Sequence, residues 1–321
     1  MLLKWLDIVK MKNKLIVLLG PTASGKSKLA VKLAKKFNGE IVSADSRQVY
    51  KEMLIGTASP AQEAQKPNLV SASREKEPIL IEKIPHHILH IVYPNENFNV
   101  AIYKKLAVRI IRDIQKRGKL PFLVGGTGLY ISVIVDNLKL PKVPPNKKLR
   151  KNLEKKSLKE LFEIYKKIDP EGAEHIDKQN KRRLVRAIEV SKISGKPFWK
   201  QRGKSSPMFE TLQIGIKLDK DLLKKRIEKR TEKMFKNNLE EEVRNLVKKY
   251  GWVPALDSIG YYEWKEYLEG KKTKKQVKKE ITIHSLQYAR RQMTWFKRDK
   301  RIYWIKNYKE AEGIIKNFLK S

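Results

Sequence analysis

The chain reads as an α/β protein: a parallel sheet covered by helices, with an all-helical segment inserted into it. Three features say so. Short apolar runs alternate with amphipathic helical stretches, two breaker clusters stand at Leu140–Pro145 and Gly203–Pro207, and no strand candidate lies between them. The first run, KLIVLLG over 14–20, is β-rich and ends in glycine, as a buried strand does. SKLAVKLAKKF then places Leu29, Leu33 and Phe37 on one helical face with Ala30 and Ala34 beside them. GEIVSADS supplies a second strand, and the polar stretch 58–84 reads as a surface loop or insertion. VAIYKKLAVRIIRDIQKRG has helical period up to Gly118, and LPFLVGG is a third buried strand followed by TGLYISVIV. From Asn146 to about Gly195 the period is helical throughout. FETLQIGIKL returns as a strand, RIYWI near the end is the last one, and most of what lies between is helical. The expected layout is a core of residues 1–140 and 208–321 around an inserted helical domain, 141–207.

Composition narrows the function. The 321 residues include 72 Lys+Arg against 35 Asp+Glu, a formal net charge of +37, and roughly two thirds of that excess falls after residue 140. Such a chain attracts polyanions and repels cations. Arginines cluster at Arg182, Arg183 and Arg186, at Arg226 and Arg230, and at Arg290 and Arg291; arginine pairs bidentately with phosphate. There is no cysteine, which excludes disulfides, thiolate metal sites and a Cys nucleophile. The longest apolar runs, such as Leu15–Leu19, fall far short of the roughly 20 residues that span a bilayer. Residues 1–10 are interrupted by Lys4, Asp7 and Lys10 and lack an export cleavage site; they form an extra helix or precede an alternative start at Met11. A cytoplasmic protein with no membrane partner is expected.

Gly20-Pro21-Thr22-Ala23-Ser24-Gly25-Lys26-Ser27 fits the phosphate-loop pattern at every fixed position and sits between a strand and a helix. Loop N–H groups and the helix N-terminus cradle an anion, Lys26 adds a full charge, and the Ser27 hydroxyl can ligate Mg2+. The fold is therefore expected to be P-loop NTPase-like. The loop alone suggests an NTPase or kinase and does not identify the phosphate compound. Asp45 ends the second strand and opens the polar patch DSRQVY; ligands of open parallel sheets collect at such strand ends. The third strand ends in Gly125-Gly126-Thr127-Gly128, where two glycines permit close backbone approach and Thr127 offers a hydroxyl. Phosphate cradle, carboxylate and hydroxyl thus converge on one end of the sheet.

At this level of detail the chain resembles the tRNA dimethylallyltransferases. GPTASGKS, ADSRQVYK, GTASP, PHHILHI, GGTGLYI, NKRRLVRAIEV, RIEKR with a downstream EEEV, SIGYYE and YARRQMTWFKR occur in that family's order from about Leu15 to Trp304. The phosphate loop is generic; the combination of ADSRQVYK, GGTGLY and RQMTWF is specific. Departures are His90 where the family usually has Asp, Asn238 where it usually has Gly, and a longer stretch near 60–84. With no cysteine, the zinc finger of eukaryotic members has no ligands, so the resemblance is to the bacterial type.

The resemblance implies transfer of a dimethylallyl group from dimethylallyl diphosphate to N6 of the adenine 3′ of the anticodon, in tRNAs reading codons that begin with U. The phosphate loop would then hold a prenyl diphosphate, Gly20 to Ser27 with Arg226 and Arg230 binding the diphosphate and Mg2+ at Ser27. Asp45 matches the family's general base and Thr127 its second catalytic residue. The basic helical insertion would grip the anticodon stem–loop. Candidates for RNA contact are Asp45, Ser46, Arg47, Gln48 and Thr127 at the strand ends, Arg150, Arg182, Arg183 and Arg186 in the insertion, and Gln287, Arg290, Arg291, Gln292 and Trp295 on the last long helix. Gln287, Arg291 and Trp295 are spaced by four and fall on one helical face. A monomer is expected. A small-molecule kinase is the alternative, though it needs neither the basic second half nor an Arg-rich insertion. His86 and His87 read as a structural pair near a turn.

Overall fold

The computed structural model describes residues 13–63 and 77–321. The expectations for residues 1–10, and for the middle of the 58–84 stretch, lie outside those residues. In chain order the elements are β1 (Lys14–Leu19), α1 (Lys26–Lys36), β2 (Gly39–Ala44), β3 (Ile79–Ile81), β4 (Ile84–His87), α2 (Val100–Lys116), β5 (Leu120–Gly125) and α3 (Gly128–Val135). Then come α4 (Lys147–Glu154), α5 (Leu158–Ile168), α6 (Pro170–His175) and α7 (Lys181–Ser194). The chain returns with β6 (Glu210–Ile216), α8 (Lys220–Lys236), α9 (Leu239–Tyr250), α10 (Lys265–Leu268), α11 (Lys274–Phe296), β7 (Ile302–Ile305) and α12 (Tyr308–Lys320).

All the strands of the described residues form one seven-stranded sheet, ordered β3-β4-β2-β5-β1-β6-β7. Every neighbouring pair is parallel except β3–β4. Strands β1, β2 and β5 are buried at every position, which is why they read as largely apolar runs, with Lys14, Glu40 and Ser43 as buried exceptions, rather than as alternations. On one side of the sheet, Ala30, Leu33 and Ala34 of α1 and Ala311 and Ile315 of α12 pack with Ile16, Leu18, Phe122 and Ile214 in one core. The α/β expectation holds. The loop expected over 58–84 needs correction at its end: it contains β3 and the first residue of β4, an antiparallel hairpin with Ile81 opposite Ile84.

The chain divides into two compact units, one made of the residues up to 135 with 208–321, the other of 136–207. The helical unit thus begins at Asp136 rather than 141. The reason is local: Lys139 N–H donates to Gly203 O at 2.8 Å, Ser205 N–H to Asn137 O at 3.2 Å, and Lys204 pairs with Asp136 at 3.0 Å, so 136–140 is strapped to 203–206. Inside this unit Leu153, Leu161, Tyr165, Leu184 and Ile188 form a separate core.

Candidate functional site

The carboxyl ends of β1, β2 and β5 open on one cavity of ≈ 1370 Å³. That exceeds the usual size of a site for one small ligand. The phosphate loop forms one wall. Gly25 takes φ +89°, a left-handed conformation, just before α1. The Thr22 N–H is spent on Gln292 Oε1 at 2.8 Å and the Ser24 N–H on Pro21 O at 3.2 Å. Anion donors therefore come from the first turn of α1, whose N–H groups have no intrahelical partner. Of the predicted loop, Thr22 to Ser27 line the cavity; Gly20 and Pro21 do not. The Ser24 hydroxyl is buried without a partner in the protein. An orphaned hydroxyl in a cationic cradle fits a phosphate acceptor.

Three cations converge here. Lys26 Nζ folds back onto Pro21 O at 3.2 Å. Burial lowers its pKa to about 8, with Asp45 opposing and Arg230 adding to the shift. Arg230 Nη1 donates to the Thr22 hydroxyl and Nη2 to Thr57 O at 3.2 Å. Burial lowers its pKa, and Asp45 works against that. Arg226 Nη1 donates to Ser24 O at 3.0 Å. Such a concentration of positive charge is costly without an anion to balance it.

Asp45 follows β2 directly. Its Oδ1 accepts the N–H groups of Arg47 at 2.8 Å and Gln48 at 3.3 Å, which fixes the carboxylate at the cavity wall. Ser46, Arg47 and Gln48 line the same wall. Arg47 reaches Ala255 O and Asp257 O, both at 3.4 Å. Thr127 is tied to this segment: its N–H donates to Ala44 O at 3.2 Å and its Oγ1 accepts the Ser46 N–H at 3.1 Å. It does not itself line the cavity; its partner Ser46 does. The two glycines before it are needed for closeness. A Cβ at Gly125 would stand 2.1 Å from Ala44 O, and one at Gly126 would stand 2.2 Å from Gln292 Nε2.

Helix α11 crosses this end of the sheet. Gln287 and Arg291 line the cavity together with Ile281, His284, Ser285, Tyr288 and Gln292, while the residues the helix buries are Val277, Ile281, Ala289, Gln292 and Phe296, and Trp295 is not among the lining residues. A spacing of four does not by itself select the register. Gln292, expected to touch RNA, instead latches the phosphate loop to β5: besides taking the Thr22 N–H, it donates to Gly126 O at 2.8 Å. Trp295, 40% exposed, sits over Gly128, where a Cβ would be 2.5 Å from its ring. Tyr288, missed in the sequence, lines the cavity beside Thr127. Burial pushes its phenol up to about 12, with Asp45 adding and Thr127 opposing. Its signal was the stripe Ile281-Ser285-Tyr288-Gln292, which has helical period.

In the helical unit, Arg150 grips the buried Glu189 carboxylate bidentately at 2.8 and 2.7 Å. Arg186 adds 2.6 Å to the same carboxylate and 2.8 Å to Val143 O. Both expected RNA contacts are thus holding their own unit together. Arg182 and Arg183 are exposed in the first turn of α7, which Asn180 caps. His86 and His87 are structural, bonded to Ile84 O and Glu40, and His90 sits buried between Ser59 Oγ at 2.7 Å and Tyr50 O at 2.6 Å. Asn238 takes φ +62°, the conformation that suits glycine or asparagine.

Among the described residues no group of three His, Asp or Glu could hold a metal ion. The donor set fits Mg2+ only as a shared ligand, with the Ser27 hydroxyl on one side and phosphate oxygens on the other.

A family model described as IPP transferase matches residues 48–299, and one described as Isopentenyl transferase matches 13–71. A protein of Gloeothece citriformis named tRNA dimethylallyltransferase is 40% identical over 295 residues, 92% of this chain and 91% of that one. One of the same name from Caldanaerobacter subterraneus is 40% identical over 322 residues, 96% of each. The full-length tRNA isopentenylpyrophosphate transferase of Bacillus halodurans superposes with a TM-score of 0.68 at 33% identity, covering 96% of this chain and 97% of that one. A eukaryotic dimethylallyltransferase acting on tRNA gives 0.71 at 26% identity, covering 92% of this chain and 74% of that one. Phosphate loop, strand-end carboxylate and α11 latch therefore occur in a chain that belongs to the IPP transferase family, the tRNA dimethylallyltransferases.

Proposed function

We propose that the protein transfers a dimethylallyl group from dimethylallyl diphosphate to N6 of the adenine immediately 3′ of the anticodon, in tRNAs that read codons beginning with U. The observation that carries this reading is the shared cavity: Asp45 lies on the wall that also carries Lys26, Arg226 and Arg230. The carboxylate and the cations can thus act on the two ends of one reaction. No observation favours the small-molecule kinase that a phosphate loop alone leaves open.

The exocyclic N6 is a weak nucleophile because its lone pair is delocalised into the ring. Asp45, fixed by the Arg47 and Gln48 amides, orients N6 and takes its proton as the C–N bond forms. The allylic C–O bond breaks, and its electron pair leaves with diphosphate. Lys26, Arg226, Arg230 and the first-turn amides of α1 meet that growing charge without rearrangement. The Ser27 hydroxyl would help to hold Mg2+, which would supply further charge neutralisation when bound. Thr127 braces the Ser46 segment from which Asp45 reaches, and Tyr288 bonds Thr127. The target base must leave its stack, at a cost of a few kcal/mol, and phosphate contacts offset that cost. Gln287, Arg291, Arg182 and Arg183 are the residues we assign to such contacts. In this reading the enzyme works as a cytoplasmic monomer; no described helix is long and apolar enough to cross a membrane.

The test is direct. Purified protein with Mg2+, dimethylallyl diphosphate and an unmodified tRNA carrying adenine beside its anticodon should yield prenylated tRNA, read by mass spectrometry of nucleosides. Asp45→Ala should abolish turnover while tRNA binding persists. Near-full turnover by that variant would remove Asp45 from the role of base.

A further inference from the structure

We infer that Glu242 is a positioning residue that fixes the proton acceptor and the diphosphate-binding cation relative to one another, an inference that rests on the prenyl-transfer reading. Glu242 projects from α9 and does not line the cavity. Its Oε2 accepts the N–H groups of Leu54 at 2.9 Å and Ile55 at 2.7 Å. Its Oε1 accepts the Gly56 N–H at 3.0 Å and the Tyr261 hydroxyl at 2.7 Å. Three consecutive amides thus close on one carboxylate, a nest for an anion supplied by the chain itself. Gly56 is held against the Tyr261 ring so closely that a Cβ would stand 2.5 Å from it.

The next carbonyl along, Thr57 O, is the junction. It accepts Arg230 Nη2 at 3.2 Å and Gln48 Nε2 at 3.4 Å. Arg230 reaches on to Thr22 of the phosphate loop, and the backbone N–H of Gln48 donates to Asp45 Oδ1. Hydrogen bonds joined by the 54–57 backbone and the Gln48 side chain therefore lead from Glu242 to both Arg230 and Asp45. Four donors converge on Glu242, and a carboxylate, being acceptor-only, has room for four. A carboxamide would turn its NH2 donors against an amide N–H or the tyrosine hydroxyl, so the turn would move and carry Thr57 O with it.

The experiment compares Glu242→Gln, Glu242→Asp and Leu246→Ala with wild type. Leu246 lies one helical turn further on, buried, and supplies only apolar packing. For each protein, the melting temperature, kcat, KM for tRNA and affinity for inorganic diphosphate are measured. Glu242→Gln should lower kcat about 10- to 100-fold, the scale of a misplacement of about 1 Å. It should weaken diphosphate binding and leave the KM for tRNA unchanged. Glu242→Asp keeps the acceptors and should recover part of kcat. Leu246→Ala should lower the melting temperature with kcat intact. A folded Glu242→Gln protein with wild-type kcat overturns the inference, and so does a Leu246→Ala protein whose kcat falls as far. If wild type transfers no prenyl group, the functional reading fails by itself, while diphosphate affinity still reports whether Glu242 sets the position of Arg230.

Discussion

Lys26 is held between opposing influences. Burial and Arg230 act against its charge, Asp45 acts for it, and the result is a pKa of about 8 in place of 10.5. Between those two values the unfolded chain binds more protons than the folded one, so stability rises with pH across that window; the cost of the buried charge is fully present below about 8. A bound diphosphate sets negative charge against Nζ and reverses the balance. Binding at pH near 8 should therefore take up protons. Calorimetric titration of inorganic diphosphate in two buffers of different ionisation enthalpy should show that uptake for wild type. Lys26→Met should lose it, together with most of the affinity. Equal uptake by both proteins would assign the protons to the ligand. The sequence announced Lys26, because the phosphate-loop pattern is local and its geometry follows from eight adjacent residues. It could not announce the bonds of Gln292 to Thr22 or of Glu242 to Leu54, which join residues 270 and 188 positions apart. Gln292 reads as an RNA contact, and Glu242 as one of a run of acids on a helix, until the fold brings their partners to them.

Among the elements, the β3–β4 hairpin was the least legible. Its strands have three and four residues, and its turn places Glu82 at φ +49° and Lys83 at φ +66°. Hairpin turns of that shape favour Asn and Gly, so the usual signal is missing, and the run around it is broken by Pro85. The central strands β1, β2 and β5 were legible for the opposite reason: burial on both faces leaves mostly apolar residues to read, Lys14, Glu40 and Ser43 excepted. The hairpin region also carries the fold's acid sensitivity. Burial lowers His86 to about 4, with the Ile84 carbonyl opposing, and burial lowers His87 and His90 as well. Folded, His86 stays neutral down to about 4 and the other two bind protons less readily than in the unfolded chain, so stability falls as pH drops below the ordinary value of 6.5. Urea midpoints should decline across that range, and His86→Gln should flatten the decline. A His86→Gln profile parallel to wild type would place the sensitivity elsewhere.

At the scale of the whole molecule, the net charge of +37 sets how the enzyme meets its RNA. Each phosphate neutralised by a Lys or Arg releases counterions, so affinity falls linearly on a log–log plot against salt, by about 0.9 per phosphate on a duplex and about 0.7 on a single strand. The arginines of the helical unit should not contribute alike. Arg150 and Arg186 share the wholly buried carboxylate of Glu189, which balances one of their two charges and commits donors of both guanidinium groups within the protein. Arg183 is exposed in the first turn of α7, where a phosphate would also meet the positive end of the helix. Binding of an unmodified tRNA should therefore weaken steeply as salt rises. Arg183→Ala should reduce the slope by about one and weaken binding at low salt. Arg186→Ala should lower the melting temperature, because it leaves part of a buried carboxylate without its partner, and should leave the slope unchanged. Filter-binding titrations at several salt concentrations, paired with thermal melts of the same three proteins, separate the two effects. A slope that drops for Arg186→Ala and not for Arg183→Ala would reverse the assignment and put the phosphate contact on the side of the unit that carries Glu189.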